Sequence, residues 1–202
     1  MKHLLILISA LTLAACNVDY QTTSGAAYLA AGTIDDPYLA GTAAYEPNLH
    51  FPARIGVVKL VYNQITSTPS AERALFADTL SQVPGEVVQL GVLDAQMSER
   101  ENYYRVDRGK IRQLAVSRHL DYVLIISYDP GQNTAEALFM DVRSGYPYAS
   151  AEVALDGPGR TNFWGGNLRN QNRINAATLR LARQLAPKIK NMLKGLIARA
   201  AR

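Results

Sequence analysis

Residues 121–129 read DYVLIISYD, and Tyr122 to Ile126 form an unbroken apolar and aromatic run between two aspartates. A strand with one wet face alternates apolar and polar side chains. An unbroken run of this length, rich in β-branched residues, belongs to a strand buried on both faces, and it is too short for a buried helix. These residues therefore predict a central strand. Residues 53–62, ARIGVVKLVY, have the same character and predict a second buried strand.

The flanks of these strands complete a pattern. Residues 134–155, TAEALFMDVRSGYPYASAEVAL, read as a hairpin of two alternating strands with its turn at Ser144-Gly145. Asp141 shapes that turn by bonding local backbone. Before the central strand, Asp107 caps a helix over 108–120, with Ile111, Leu114 and Ala115 at helical spacing. Residues 86–94, EVVQLGVLD, give another strand. Residues 67–82 give a helix with Thr68 as N-cap and Pro69 at its first position. Its Leu75, Phe76, Thr79 and Leu80 share one face. Pro84-Gly85 ends it. The order β-α-β-α-β-β predicts an α/β fold, a single mixed β-sheet flanked by helices.

A long amphipathic helix follows from about Leu168 to the last residue. Ile174, Leu181, Leu185, Ile189, Met192 and Leu196 step by three, four or seven and make one apolar stripe. Pro187 lies opposite the stripe. It removes one backbone donor, which predicts a kink or break near Ala186. The net charge of +4 hides an asymmetry. No acidic residue follows Asp156, whereas Arg160, Arg169, Arg173, Arg180, Arg183, Lys188, Lys190, Lys194, Arg199 and Arg202 do. Two readings of this face stay open. One is a solvated face on a helix docked by its stripe. The other is a surface for anionic lipid, polysaccharide or an acidic partner, with Arg183, Lys190 and Lys194 as contacts. The loop DGPGRTNFWGGN, residues 156–167, precedes the helix. Its Arg160, Phe163 and Trp164 are of the types enriched at binding hot spots, or else the two rings cap the core.

At the other end, MKHLLILISALTLAAC places Lys2 and His3 before a short apolar run and then the one cysteine. The run is too short to span a bilayer, which needs about 20 residues. Leu13-Ala14-Ala15-Cys16 resembles the bacterial lipobox. That resemblance implies a signal peptide over 1–15, diacylglycerol on Cys16, and a chain hung from one leaflet. Asn17 after the cysteine, rather than Asp, implies the outer membrane. Residues 16–52, rich in Ala, Gly, Thr and Tyr, read as a flexible tether. Its tyrosines count against full disorder, so some dock on the domain or on a neighbour. The remaining divisions are a mixed α/β domain over 53–156, and the Gly-rich loop with the basic helix over 157–202.

RIGVVKL, RQLAVSRHLDYVLIISYD and ALFMDVRSGYPYASAEVAL together resemble two related groups. One is the periplasmic domain of the curli-secretion lipoproteins, and the other is the amino-terminal domain of the TolB translocation proteins. The likeness covers about residues 53–156 and is one of strands and turns. It implies a mixed sheet flanked by helices in a cell-envelope lipoprotein. The chain lacks the long paired hairpins of a curli-type channel and the propeller repeat of a full TolB protein.

Catalytic constellations are thin. There is no G-x-S-x-G elbow, H-E-x-x-H helix or P-loop, and no second cysteine for a disulfide or thiolate metal site. His50 reads as solvated, His119 as a helix-end residue, and Asp35-Asp36 as a solvated pair. No catalytic residue, cofactor or metal ligand is assigned. Export excludes nucleic acid as the partner of the basic helix. The reading is a non-enzymatic, lipid-anchored envelope protein facing the periplasm, an assembly or interaction module for an envelope protein or for itself. The alternative is a periplasmic binding or export accessory that recognises a secreted polymer or peptide.

Overall fold

The structure, a computed structural model, describes residues 23–30, 46–91, 108–155 and 168–202. Among them seven strands form one mixed sheet: β1 (Thr23–Ser24), β2 (Ala53–Val61), β3 (Gln64–Ile65), β4 (Gly85–Leu90), β5 (Tyr122–Asp129), β6 (Thr134–Asp141) and β7 (Pro147–Ala154). Four helices accompany them: α1 (Gly25–Ala30), α2 (Ser70–Leu80), α3 (Arg108–Ser117) and α4 (Leu168–Ala200). The strand order is β1-β7-β6-β5-β2-β3, and β4 also pairs with β2. β2 is parallel to β4 and to β5, and every other pair is antiparallel. The fold class and the long C-terminal helix agree with the sequence.

β2 is the point where the chain reverses its direction of travel across the sheet. It leaves through α2 to β4 on one side, then returns past β2 to β5 on the other. Uniform crossover handedness puts the two connecting helices on opposite faces. Side-chain alternation in β2 and β5 serves both layers. Ile55, Val57, Leu124 and Ile126 pack on one face with Phe76 and Leu80 of α2 and Leu181, Leu185, Ile189 and Met192 of α4. Val58, Leu60, Val123 and Ile125 pack on the other with Ile111 and Ala115 of α3 and Tyr28 of α1. Both strands are therefore buried on both sides, as their unbroken apolar runs require.

The turns follow local chemistry. Asp141 Oδ2 accepts bonds from the Ser144 amide at 2.6 Å and the Ser144 hydroxyl at 2.7 Å, and Gly145 takes the left-handed φ of 76°. α3 ends in two nested bonds, Leu120 N–H to Ala115 O and His119 N–H to Val116 O. These bonds place His119 at φ 54°, a site usually given to glycine. Arg54 secures the same end by donating to the Arg118 and His119 carbonyls, each at 3.1 Å.

Three expectations need correction. α2 begins at Ser70, with Pro69 in the capping position and no side-chain cap. Thr68 instead offers its carbonyl to Arg73 Nη2 at 3.2 Å. α4 runs on through Pro187, so of the kink or break expected there the break does not occur. Pro187 is exposed, and so is Arg183, whose carbonyl loses its bond, so water can serve it. Finally, residues 23–30 fall within the stretch read as a flexible tether; they form β1 and α1 on the β7 edge, in keeping with the docking expected of its tyrosines. Tyr28 is buried there, and its hydroxyl accepts from Arg108 Nη2 at 2.7 Å.

Candidate interaction surface

Most charged and phenolic groups that the fold brings together are tied into its own structure. Lys59 points inward from β2 and pairs with Glu72 of α2, at 5% and 1% exposure. Both partners had to leave water, so the pair adds little net stability, whereas either charge left alone there would be costly. The Lys59 ammonium also lies 5.3 Å from the centre of the Tyr128 ring. The Tyr128 hydroxyl is buried without a hydrogen-bond partner among the described residues. Burial first, and then the charge of Glu72, pushes that phenol far above its ordinary range.

A second cluster seals the end of the sheet where β7 begins. Tyr122 meets Phe139 at a tilt, with 5.1 Å between ring centres, and Tyr148 edge-on at 5.6 Å, and Tyr148 meets Tyr146 edge-on at 5.4 Å. The lead-in residues 46–51 lie across it. Tyr146 donates to Glu46 at 3.3 Å, and Tyr148 donates to the Pro47 carbonyl at 3.2 Å. The His50 amide donates to Tyr122 Oη at 2.9 Å, and His50 Nδ1 lies 2.9 Å from the same oxygen. His50 is exposed, but this oxygen holds it in place. Arg199 of α4 closes the group, 2.9 Å from Glu46 and 5.6 Å from the Tyr148 ring centre. Burial raises the pKa of Tyr122, Tyr146 and Tyr148, so these phenols stay neutral.

Two features face outward. The first is α4. Leu181, Leu185, Ile189 and Met192 are buried as the stripe requires, and Arg183 and Lys194 stand exposed on the opposite side. Lys190 is half-buried and reaches Asp78 of α2 at 3.5 Å, so it is less free than its neighbours. Arg180 donates to Asn133 Oδ1 at 3.1 Å. The second is the outer side of β4, where no strand pairs among the described residues. Its Glu86 and Gln89 are exposed, and Arg54 holds Glu86 at 2.8 Å. Cys16, Arg160, Phe163, Trp164 and the Asp35-Asp36 pair lie outside the described residues.

The sequence reading missed the Lys59–Glu72 pair. Its signal was present, since Lys59 occupies an inward position of an otherwise apolar alternation. The outward features suit binding. A ridge of cations attracts anions, and an open strand edge accepts an extended strand. No helix among the described residues is long and apolar enough to cross a membrane.

The class these features define is a mixed α/β sheet domain with helices on both faces and an exposed basic helix. No family model matches the chain, and no curated protein matches it. Several solved structures are similar to it at low identity. One is the PelC dodecamer from Paraburkholderia phytofirmans, with 17% identity, a TM-score of 0.37, and coverage of 71% of this chain and 91% of that one. Another is the LpoB C-terminal domain from Salmonella enterica, with 17% identity, a TM-score of 0.37, and coverage of 60% and 94%. A third is described as lipoprotein GNA1162 from Neisseria meningitidis, with 18% identity, a TM-score of 0.33, and coverage of 65% and 99%.

Proposed function

We propose that this chain is a non-enzymatic, lipid-anchored cell-envelope protein, an assembly or interaction module facing the periplasm. The lipobox-like Leu13-Ala14-Ala15-Cys16 supports the anchor, and Asn17 supports the outer membrane as its site. The observation that carries the module reading is β4. It is a six-residue strand paired to β2 on one side, with no strand on its other side among the described residues. An edge of this kind offers unpaired backbone donors and acceptors to an extended segment of a second chain. The partner is an envelope protein or another copy of this chain.

Photo-crosslinking in intact cells tests the reading. A photoreactive side chain at Gln89, beside the edge, is expected to yield a discrete protein adduct. The same group at Arg143, in the β6–β7 turn, is the control. Equal adducts from both positions, or none from Gln89, would remove the edge as the interaction site.

A further inference from the structure

The docked segment at the start of the described chain limits how far the domain can stand from its anchor. Thr23 pairs with Ser150, and Ser24 with Ala149. Gly25 sits so close to β7 that a Cβ there would lie 1.9 Å from the Pro147 carbonyl oxygen. Only residues 17–22 separate Cys16 from Thr23. Seven Cα steps of ~3.3–3.6 Å reach at most ~25 Å. A domain of this size is on the order of 40 Å across, so the leash is shorter than the body it holds.

α4 packs along β7, and Arg199 near its end sits over the Tyr148 ring. Tyr148 is two residues from Ser150, the partner of Thr23. The last turns of α4 therefore lie beside the strand edge where the leash arrives. On the outer side of that helix Arg183 and Lys194 are exposed; Lys190 beside them holds Asp78 of α2 at 3.5 Å, and no acidic residue of α4 itself offsets them.

We propose that the outer face of α4, with Arg183 and Lys194 as its main contacts, lies on the anionic lipid headgroups of the membrane that holds Cys16. The proposal rests on acylation of Cys16, as the proposed function does. Short reach supplies proximity, and charge complementarity supplies orientation. Exposed charges act over about one Debye length, ~10 Å at 0.1 M salt, and the full reach of the leash exceeds that, so the leash permits the close approach and the charge of the ridge selects it.

The test uses the full acylated protein in phosphatidylcholine vesicles made with and without phosphatidylglycerol, containing a headgroup-level quencher. An acylated Cys16 has no free thiol, so one added cysteine can carry a fluorophore. Asn191→Cys labels the outer side of α4, and Val116→Cys labels the exposed side of α3 on the opposite face. On anionic vesicles the label at 191 should be quenched severalfold more than the label at 116. High salt should weaken the difference. Arg183→Glu with Lys194→Glu should abolish it, and the milder Arg183→Gln with Lys194→Gln should reduce it. Equal quenching at both labels, or none at 191 while the protein still floats with the vesicles, would overturn the orientation and leave the anchor standing. Failure to float after a salt wash would remove the anchor, and the proposal with it.

Discussion

Lys59 and Glu72 are charged residues that the fold removes from water, and each depends on the other. Lys59→Met alone leaves the Glu72 carboxylate buried and unpaired, which should cost about 3–5 kcal/mol of stability. Lys59→Met together with Glu72→Leu should recover most of that loss, measured by urea denaturation. A double variant as unstable as the single one would show that the pair is not the reason. Tyr128 lies beneath this pair with its hydroxyl unpartnered among the described residues. Tyr128→Phe removes a buried hydroxyl that lies near the Glu72 carboxylate without a well-formed hydrogen bond, so stability at neutral pH should change by no more than about 1 kcal/mol. The same residue sets an alkaline limit. Folding raises the pKa of Tyr128, Tyr148 and Tyr122 above the ordinary value of about 10, so the native state keeps protons that the unfolded chain releases. That contribution is complete below about pH 10 and is lost as pH rises further. Melting temperatures taken from pH 8 upward should fall above pH 10, and less steeply in Tyr128→Phe.

Among the elements, β5 is the one on which both layers rest. Ile125 is buried against α3 and its neighbours, so Ile125→Ala should cost about 2–5 kcal/mol, read as a lowered melting temperature. An unchanged melting temperature would contradict its central place. β1 and α1 are the opposite case, an addition at the edge. Gly25→Val would drive a side chain into the Pro147 carbonyl. It should release residues 23–30 and leave the sheet folded. Hydrogen exchange should then speed up at 23–30 alone. Exchange that also quickens in β5 would mean that the edge segment belongs to the core. The strands were readable from periodicity because apolar runs reflect burial that any packing of this sheet would impose. β1 was not readable, because two residues carry no period and their pairing with Ser150 and Ala149 is set by β7, far along the chain.

For the whole molecule, the anchor decides where every surface points. Cys16→Ala should abolish incorporation of a fatty-acid probe and release the protein from membranes. Equal labelling of this variant would remove the lipid anchor. The short reach from Cys16 to Thr23 makes attachment and orientation one question, since a domain held this closely cannot present all its faces equally to a partner.

Local pattern was enough for the α/β class, the two doubly buried strands, the Asp141 turn and the buried stripe of α4. Each depends on residues close in sequence, and the period of two or 3.6 records which side loses water. Asp141 bonds three residues ahead, and Leu181, Leu185 and Ile189 repeat every four. Long-range packing was needed for the rest. Glu72 became the partner of Lys59 only when α2 settled on β2, and residues 46–51 became a clasp only when the tyrosines of β5 and β7 met beneath them. Residues 23–30 left the tether because β7 had a free edge. Such contacts join positions whose separation along the chain carries no signal, so they exist only once the sheet has closed.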